Sequence, residues 1–297
     1  MSSRILLTGK NGQVGFELCR ALAPLGEVVA LDRSECDLTD ANAIRTLVRH
    51  IQPRIIVNSA AYTDVDKAES GADAAYAVNA IAPGIWGAEA TKLGACVLHY
   101  STDYVFDGQK SGAYLETDAT APQGVYGASK LAGEQALLQS CAHSMILRTS
   151  WVVGAHGDNF AKTILRLAVE RENLSVVSDQ FGAPTSAALL ADLSAYLVRQ
   201  ALRDTSQSFN FGLYHVAASG RTSRYDYAQF ILREAARAGK SLKLQAENIR
   251  PITSAEFPTA AKRPSNSSLD TRRFQDTFDL RLPDWQDGVR RVLQQLF

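Results

Sequence analysis

Tyr126 and Lys130 stand four residues apart in the stretch VYGASKLAGE, residues 125–134. On a helix that spacing puts both side chains on one face. A free phenol has a pKa of about 10. A neighbouring ammonium favours the phenolate, as would an oxidised nicotinamide, so Lys130 is expected to lower the Tyr126 pKa until the phenol can give a proton near neutral pH. The pair alone is a cheap pattern, with about 0.3 matches expected by chance in a chain of this composition. Its context makes it chemistry. Thr102 lies upstream in HYSTDYVFDG, at the end of an expected strand, where its hydroxyl can hold a carbonyl oxygen. The reaction these groups suit is hydride delivery from a bound nicotinamide to a carbonyl, with Tyr126 supplying the proton.

The nicotinamide needs a seat, and LLTGKNGQVG places Gly9, Gly12 and Gly15 directly after an apolar run and at the opening of a helical one. In that setting Gly9 makes the tight turn, Gly12 lets backbone approach a pyrophosphate, and Gly15 allows close packing of the helix, whose N-terminus faces the anion. Asp32 follows about twenty residues on, at the end of the second expected strand. Its carboxylate suits a free ribose 2′-hydroxyl. Arg33 beside it suits a 2′-phosphate, so the pair accommodates either NADH or NADPH. Asp37 and Leu38 sit at the next strand–helix edge, where they can flank the adenine.

These residues must be held by a regular scaffold, and the first half of the chain alternates. Strands read at 4–9, 27–32, 54–61, 95–102 and 144–153. Helices read at 13–26, at 40–51 with Thr39 or Asp40 as cap, at 72–93 with an interruption at Pro83, and across Tyr126–Lys130. Continuous apolar strands alternating with helices imply a parallel sheet covered on both faces, a doubly wound Rossmann-type α/β fold. Beyond residue 150 the pattern loosens. Helices read at 158–171, 187–202 and 223–238, short strands at 174–178 and 213–217, and the tail mixes turns with short helices. The expected division is 1–150 plus about 187–218 for the dinucleotide, with about 151–186 and 219–297 as a smaller, interleaved C-terminal substrate domain.

Composition narrows the classes. The net charge of +0 gives no basic surface for nucleic acid. No apolar run approaches membrane-spanning length, and RILLTG is too short for a signal segment. Four cysteines are scattered without a CxxC pair, which reads as reduced thiols in a cytoplasmic protein. Five histidines form no HxH or HxxxH pair, so no zinc site is expected.

The chain resembles the extended short-chain dehydrogenase/reductases, and within them the dTDP-4-dehydrorhamnose reductase family. The resemblance runs over essentially the whole length: GKNGQVGFEL, VNSAAYTDVDKAE, HYSTDYVFDG, VYGASKLAGE, LRTSWVVG, NFAKTILRLA, DQFGAPTSAALLAD and RPSNSSLD. It implies a catalytic set of Thr102, Tyr126 and Lys130, with Lys130 also on the nicotinamide ribose. It implies a cofactor, NADPH or NADH, lined by Gly12, Gln13, Val14, Asp32, Asp37, Leu38, Ala61, Tyr62 and Thr63. It implies a dTDP-sugar substrate touched by Thr102, Asp103, Tyr126 and Trp151. Trp151 reads equally as a core aromatic at a strand end. Other members of this scaffold are epimerases, dehydratases or silent regulatory subunits that bind a dinucleotide. The intact Thr102/Tyr126/Lys130 set favours a reductase. Family members can also hold Mg2+ on acidic residues where subunits meet. Glu17 and Asp192 match two of those positions, but the third is Ala188, so the resemblance implies a weak metal site and a monomer or weak homodimer.

Overall fold

The structure is a computed structural model and describes residues 3–297. Its first half runs β1 (Arg4–Thr8), α1 (Gln13–Leu22), β2 (Glu27–Leu31), α2 (Ala41–Ile51), β3 (Ile55–Asn58), α3 (Val65–Ser70), α4 (Ala72–Tyr76), α5 (Ala82–Leu93), β4 (Cys96–Thr102), α6 (Val125–Ser140) and β5 (Ser144–Thr149). After a break come β6 (Val152–Val153), α7 (Phe160–Glu170), β7 (Leu174–Val177), β8 (Phe181–Gly182), β9 (Thr185–Ser186) and α8 (Ala187–Arg203). The chain ends with β10 (Gly212–His215), β11 (Thr222–Ser223), α9 (Arg224–Arg237), β12 (Ile249–Ile252), α10 (Arg272–Phe278) and α11 (Trp285–Leu296).

Six strands form one sheet in the order β10-β5-β4-β3-β1-β2, and every pairing in it is parallel. The doubly wound fold expected from the alternation is therefore present. Side chains of a strand alternate between faces, and the two cores follow that period. Ile5, Leu7, Ile55, Val57, Leu98 and Met145 face one way, against Leu18 and Leu22 of α1 and Leu190 and Leu197 of α8. Leu6, Ile56, Val97 and Ile146 face the other way, against Ile44 and Val48 of α2, Trp86 of α5 and Leu137 of α6. Each such aliphatic side chain contributes about 1.5–3 kcal/mol on burial. The α2 cap is Asp40, whose carboxylate accepts from the Asn42 and Ala43 amides.

Two departures from the sequence reading bear on the site. The helical region before β4 is not interrupted at Pro83. A π-helical segment, Ala77–Ile81, links α4 to α5, and Pro83 falls in the first turn of α5. The fifth strand does not reach residue 153. It stops at Thr149 because Trp151 adopts φ 48°, a left-handed conformation strained for an indole side chain, and the chain resumes as β6 beside β9. The short strand read at 213–217 is β10, an edge strand of the main sheet paired to β5. A third core, built on Ile164, Tyr227, Ile231, Trp285 and Val289, joins α7, α9 and α11.

Candidate active site

A cleft of about 1060 Å³ opens over the carboxyl ends of the sheet strands, from Gly9 and Gly12 at one end to Tyr126, Trp151 and Arg224 at the other. Of the residues singled out above for cofactor or substrate, all but Gly15 line it.

At the phosphate end, Gly9 has φ 76°, and a Cβ there would lie 2.8 Å from Ala60 N. Gly15 is buried behind the loop, where a Cβ would meet Gly9 O at 1.9 Å. Both positions thus exclude side chains for reasons of shape. The α1 N-cap is Gly12, and no side chain caps the helix, so its first amides are open to an anion. Gln13 is held sideways, its Oε1 accepting from Asn159 at 3.0 Å, and Val14 follows in the same first turn. The Asp32 carboxylate accepts from the Ser34 amide and hydroxyl and from Asn11, bonds that hold its pKa below the ordinary carboxylate value. Lys10 lies 3.6 Å from it and bonds Glu35. Arg33 is exposed at the cleft edge. Lys10 was not legible as a neighbour of Asp32, because loop geometry brings it there. Asp37 spends its carboxylate on the Thr39 amide and hydroxyl, while Leu38 is buried against the second core.

The wall formed by Ala61, Tyr62 and Thr63 is set by Asn79, buried in the π-helical segment. The Asn79 side chain accepts from Tyr62 N, donates to Tyr62 O and donates to the Ser129 hydroxyl of α6. One amide thereby ties the cofactor wall to the helix that carries Tyr126 and Lys130. Nothing in the local spacing announces Asn79, because the π turn that aims it is a tertiary feature.

At the reacting end, Lys130 is 2% exposed. Its Nζ donates to Tyr100 O at 2.6 Å and lies 3.2 Å from His99 Nε2. Burial pulls its pKa down to about 8, against an opposing pull from Glu134. Burial acts on Tyr126 in the other sense and pushes its phenol well above the ordinary value, with the Thr102 hydroxyl opposing and Asp103 and Tyr104 adding to the rise. The expected lowering by Lys130 is not found. Desolvation dominates, and Nζ is drawn to the β4 carbonyl and imidazole. The consequence still suits a proton donor, since the phenol stays protonated across neutral pH. Tyr104 packs edge-on against its ring at 5.4 Å. Thr102 Oγ1 donates to Asp103 Oδ1 at 3.1 Å, and burial raises the Asp103 pKa to about 6. Asp103 Oδ2, Ser101 Oγ and Thr149 Oγ1 are buried without a protein partner, and all three residues line the cleft. Buried polar atoms of this kind are ordinarily satisfied, so this end of the cleft is built to receive a polar ligand.

Trp151 stands across from them. Its indole rests on Gly182, where a Cβ would lie 2.7 Å from the ring, and the Arg224 guanidinium of α9 lies over the ring at 3.7 Å. The Arg224 guanidinium also lies 5.0 Å from the Phe160 ring, and among the described residues no carboxylate comes within 4.0 Å of it. Burial lowers its pKa, with Asp103 pulling the other way from a distance. A desolvated cation without an anion is costly, and this one faces the cleft. Arg224 was missed because it lies far along the chain from every quoted motif.

The carboxylates Glu17 and Asp192 do come together, but Arg20 sits on both, at 3.2 Å and 2.8 Å. Ala188 adds no ligand, and among the described residues no group of three His, Cys, Asp or Glu side chains is placed to hold a metal ion. The donor set does not fit magnesium, because a guanidinium already occupies the cation's place.

The family model described as RmlD substrate binding domain matches residues 3–297. Over 99% of its length the chain is 52% identical to the dTDP-4-dehydrorhamnose reductase of Escherichia coli K12, of which it covers 98%. It is 44% identical to the protein of that name from Burkholderia thailandensis, with 99% of each chain covered. Among solved structures, the dTDP-4-dehydrorhamnose reductase of Bacillus anthracis, in complex with NADP, superposes with a TM-score of 0.90 at 35% identity, covering 99% of this chain and 100% of that one.

Proposed function

Since the chain belongs to the family of the RmlD substrate binding domain, we propose that it reduces the C4 keto group of dTDP-4-dehydro-β-L-rhamnose to give dTDP-L-rhamnose. The observation that carries this reading is the meeting of Thr102, Tyr126 and Lys130 in the same cleft as the glycine loop. NADPH, when bound, supplies the hydride. Thr102 orients the carbonyl oxygen. Tyr126, held protonated by burial, gives its proton to that oxygen as negative charge develops on it. Lys130 holds the nicotinamide ribose and keeps positive charge near the phenol. Ser101, Asp103 and Thr149 offer partners to the sugar hydroxyls, and Trp151 gives the nucleotide-sugar an apolar face. Arg224 meets the diphosphate. The same reading gives 1–150 with about 187–218 to the dinucleotide, and about 151–186 with 219–297 to the sugar nucleotide. Trp151 and Arg224, which flank the substrate end, support that division. The working protein is cytoplasmic and a monomer or weak homodimer; among the described residues no helix is long and apolar enough to cross a membrane.

The decisive assay follows NADPH oxidation optically with the dTDP-keto sugar supplied. No turnover with either reduced cofactor would sink the reading. Arg224→Met raises the KM for the sugar nucleotide at least about tenfold, the scale of one charge-assisted hydrogen bond. NADPH affinity stays level, since Arg224 stands at the far end of the cleft. An unchanged KM places the diphosphate elsewhere. Arg33→Ala weakens NADPH several-fold and leaves NADH alone, because only NADPH carries the 2′-phosphate; equal losses for both would move Arg33 away from that phosphate. Chelation with EDTA leaves specific activity within about twofold, far below the effect of removing a Lewis-acid metal.

A further inference from the structure

Thr8, Asn58 and His99 occupy matching register positions on three adjacent strands, β1, β3 and β4. All three are at least 98% buried on the face of the sheet that α6 covers. The Thr8 hydroxyl accepts from Ala60 N and donates to Asn58 Oδ1 at 2.7 Å, Asn58 Nδ2 lies 3.0 Å from His99 Nδ1, and His99 Nε2 lies 3.2 Å from Lys130 Nζ. A polar ladder therefore crosses the sheet from the strand that opens the phosphate loop to the reacting lysine. A ladder of polar side chains inside an apolar layer is retained at a cost, and its only charged end is Lys130.

Hydrogen counting restricts how it works. Burial and the Lys130 charge hold the His99 pKa well below the ordinary imidazole value, so the ring is neutral and carries one N–H. An ammonium only donates. While Lys130 is charged, Nε2 must accept from it, and the ring hydrogen must sit on Nδ1. Nδ1–H then needs an acceptor, and the Asn58 amide supplies one only after a half-turn from its orientation in the structure, which brings its oxygen to the ring and its NH2 group to Thr8 Oγ1. The amide orientation in the structure suits the other pattern, that of an uncharged Lys130, with Nε2–H donating to the amine and the Asn58 NH2 group donating to Nδ1. With Nε2 and Tyr100 O taking two N–H groups of Lys130, one remains for the cleft.

We propose that His99, held as its Nδ1–H tautomer by a turned Asn58 amide while Lys130 is charged, is a positioning residue that anchors the Lys130 ammonium and helps keep it charged. The inference rests on the reductase reading for the importance of Lys130, but the tautomer itself does not. The other charged group that acts on Lys130 is Glu134 on α6, itself bonded to Arg148 of β5; the nearby Asn79–Ser129 pair is neutral. None of them replaces an acceptor on β4.

Two measurements test it. Nitrogen-15 histidine labelling and long-range NMR of the whole protein read the tautomer, with the His99 signals identified by their loss in His99→Gln. The Nδ1–H form is expected at pH 7, giving way as pH rises through about 8, where Lys130 discharges. An Nε2–H form or an imidazolium at pH 7 overturns the proposal. The second measurement is the pH profile of turnover. His99→Leu removes the acceptor and disfavours the ammonium, so the alkaline limb moves down by about one unit. His99→Gln, whose Oε1 can accept, restores most of it. An alkaline limb unmoved in His99→Leu overturns the proposal. Should that variant fail to fold, the wild-type tautomer and the His99→Gln profile decide. A wild-type protein without turnover on the keto sugar would sink the reductase reading alone, and the NMR result would still judge the ladder.

Discussion

Tyr126→Phe lowers turnover by at least about a hundredfold, the usual scale for loss of a general acid, and leaves the fold and NADPH affinity unchanged. The ring keeps its edge-on packing with Tyr104, so the cleft keeps its shape. What disappears is one hydroxyl beside Thr102. Because burial holds this phenol protonated, wild-type activity is not lost at alkaline pH through Tyr126. A variant that turns over near the wild-type rate, with the same NADPH dissociation constant, would mean that another group gives the proton. Asp103, with a pKa of about 6, would be the next candidate.

Lys130→Met damages two functions together, with at least about a hundredfold loss of turnover and at least about tenfold weaker NADPH binding. Methionine preserves most of the volume but leaves Tyr100 O and His99 Nε2 without their donor, each at about 1–3 kcal/mol. Relief from burying an ammonium offsets part of that, so the thermal midpoint falls only modestly. The pH profile is the sharper readout. A lysine whose pKa is lowered to about 8 is charged below that value and loses its charge as pH rises through it. Wild-type turnover is therefore level near neutrality and falls above pH 8, and the variant's residual activity lacks that limb. A limb that persists in Lys130→Met belongs to another group. Weakened binding with unchanged turnover would confine Lys130 to holding the cofactor.

How far these residues could be read without coordinates differs from one to the next. Tyr126 and Lys130 were legible because four-residue spacing on a helix is a local property. The glycine loop was legible because its position between an apolar strand and a helix is written in consecutive residues. The strand that was read as running through Trp151 failed for the opposite reason. VVG continues the apolar pattern, and only the contact of the indole with Gly182 and Arg224 explains a left-handed turn there. Pro83 misled in the same way, since a proline can open a helical turn when a π segment precedes it.

The sequence by itself determined the parallel α/β fold, the dinucleotide loop and the pairing of a phenol with an ammonium, because each depends on periodicity or on neighbours within a turn or two. The tertiary structure alone decided the balance of forces at those groups. Burial, not the neighbouring lysine, governs the Tyr126 phenol, and the degree of burial depends on every element packed over the cleft. Arg20 came to lie between Glu17 and Asp192, residues 172 apart for the arginine and Asp192, because α1 and α8 share one face of the sheet. Arg224 reached Trp151 across the second half of the chain, and Thr8, Asn58 and His99 lined up through strand register. Register and burial join residues of distant sequence position, so no local pattern in the chain encodes them.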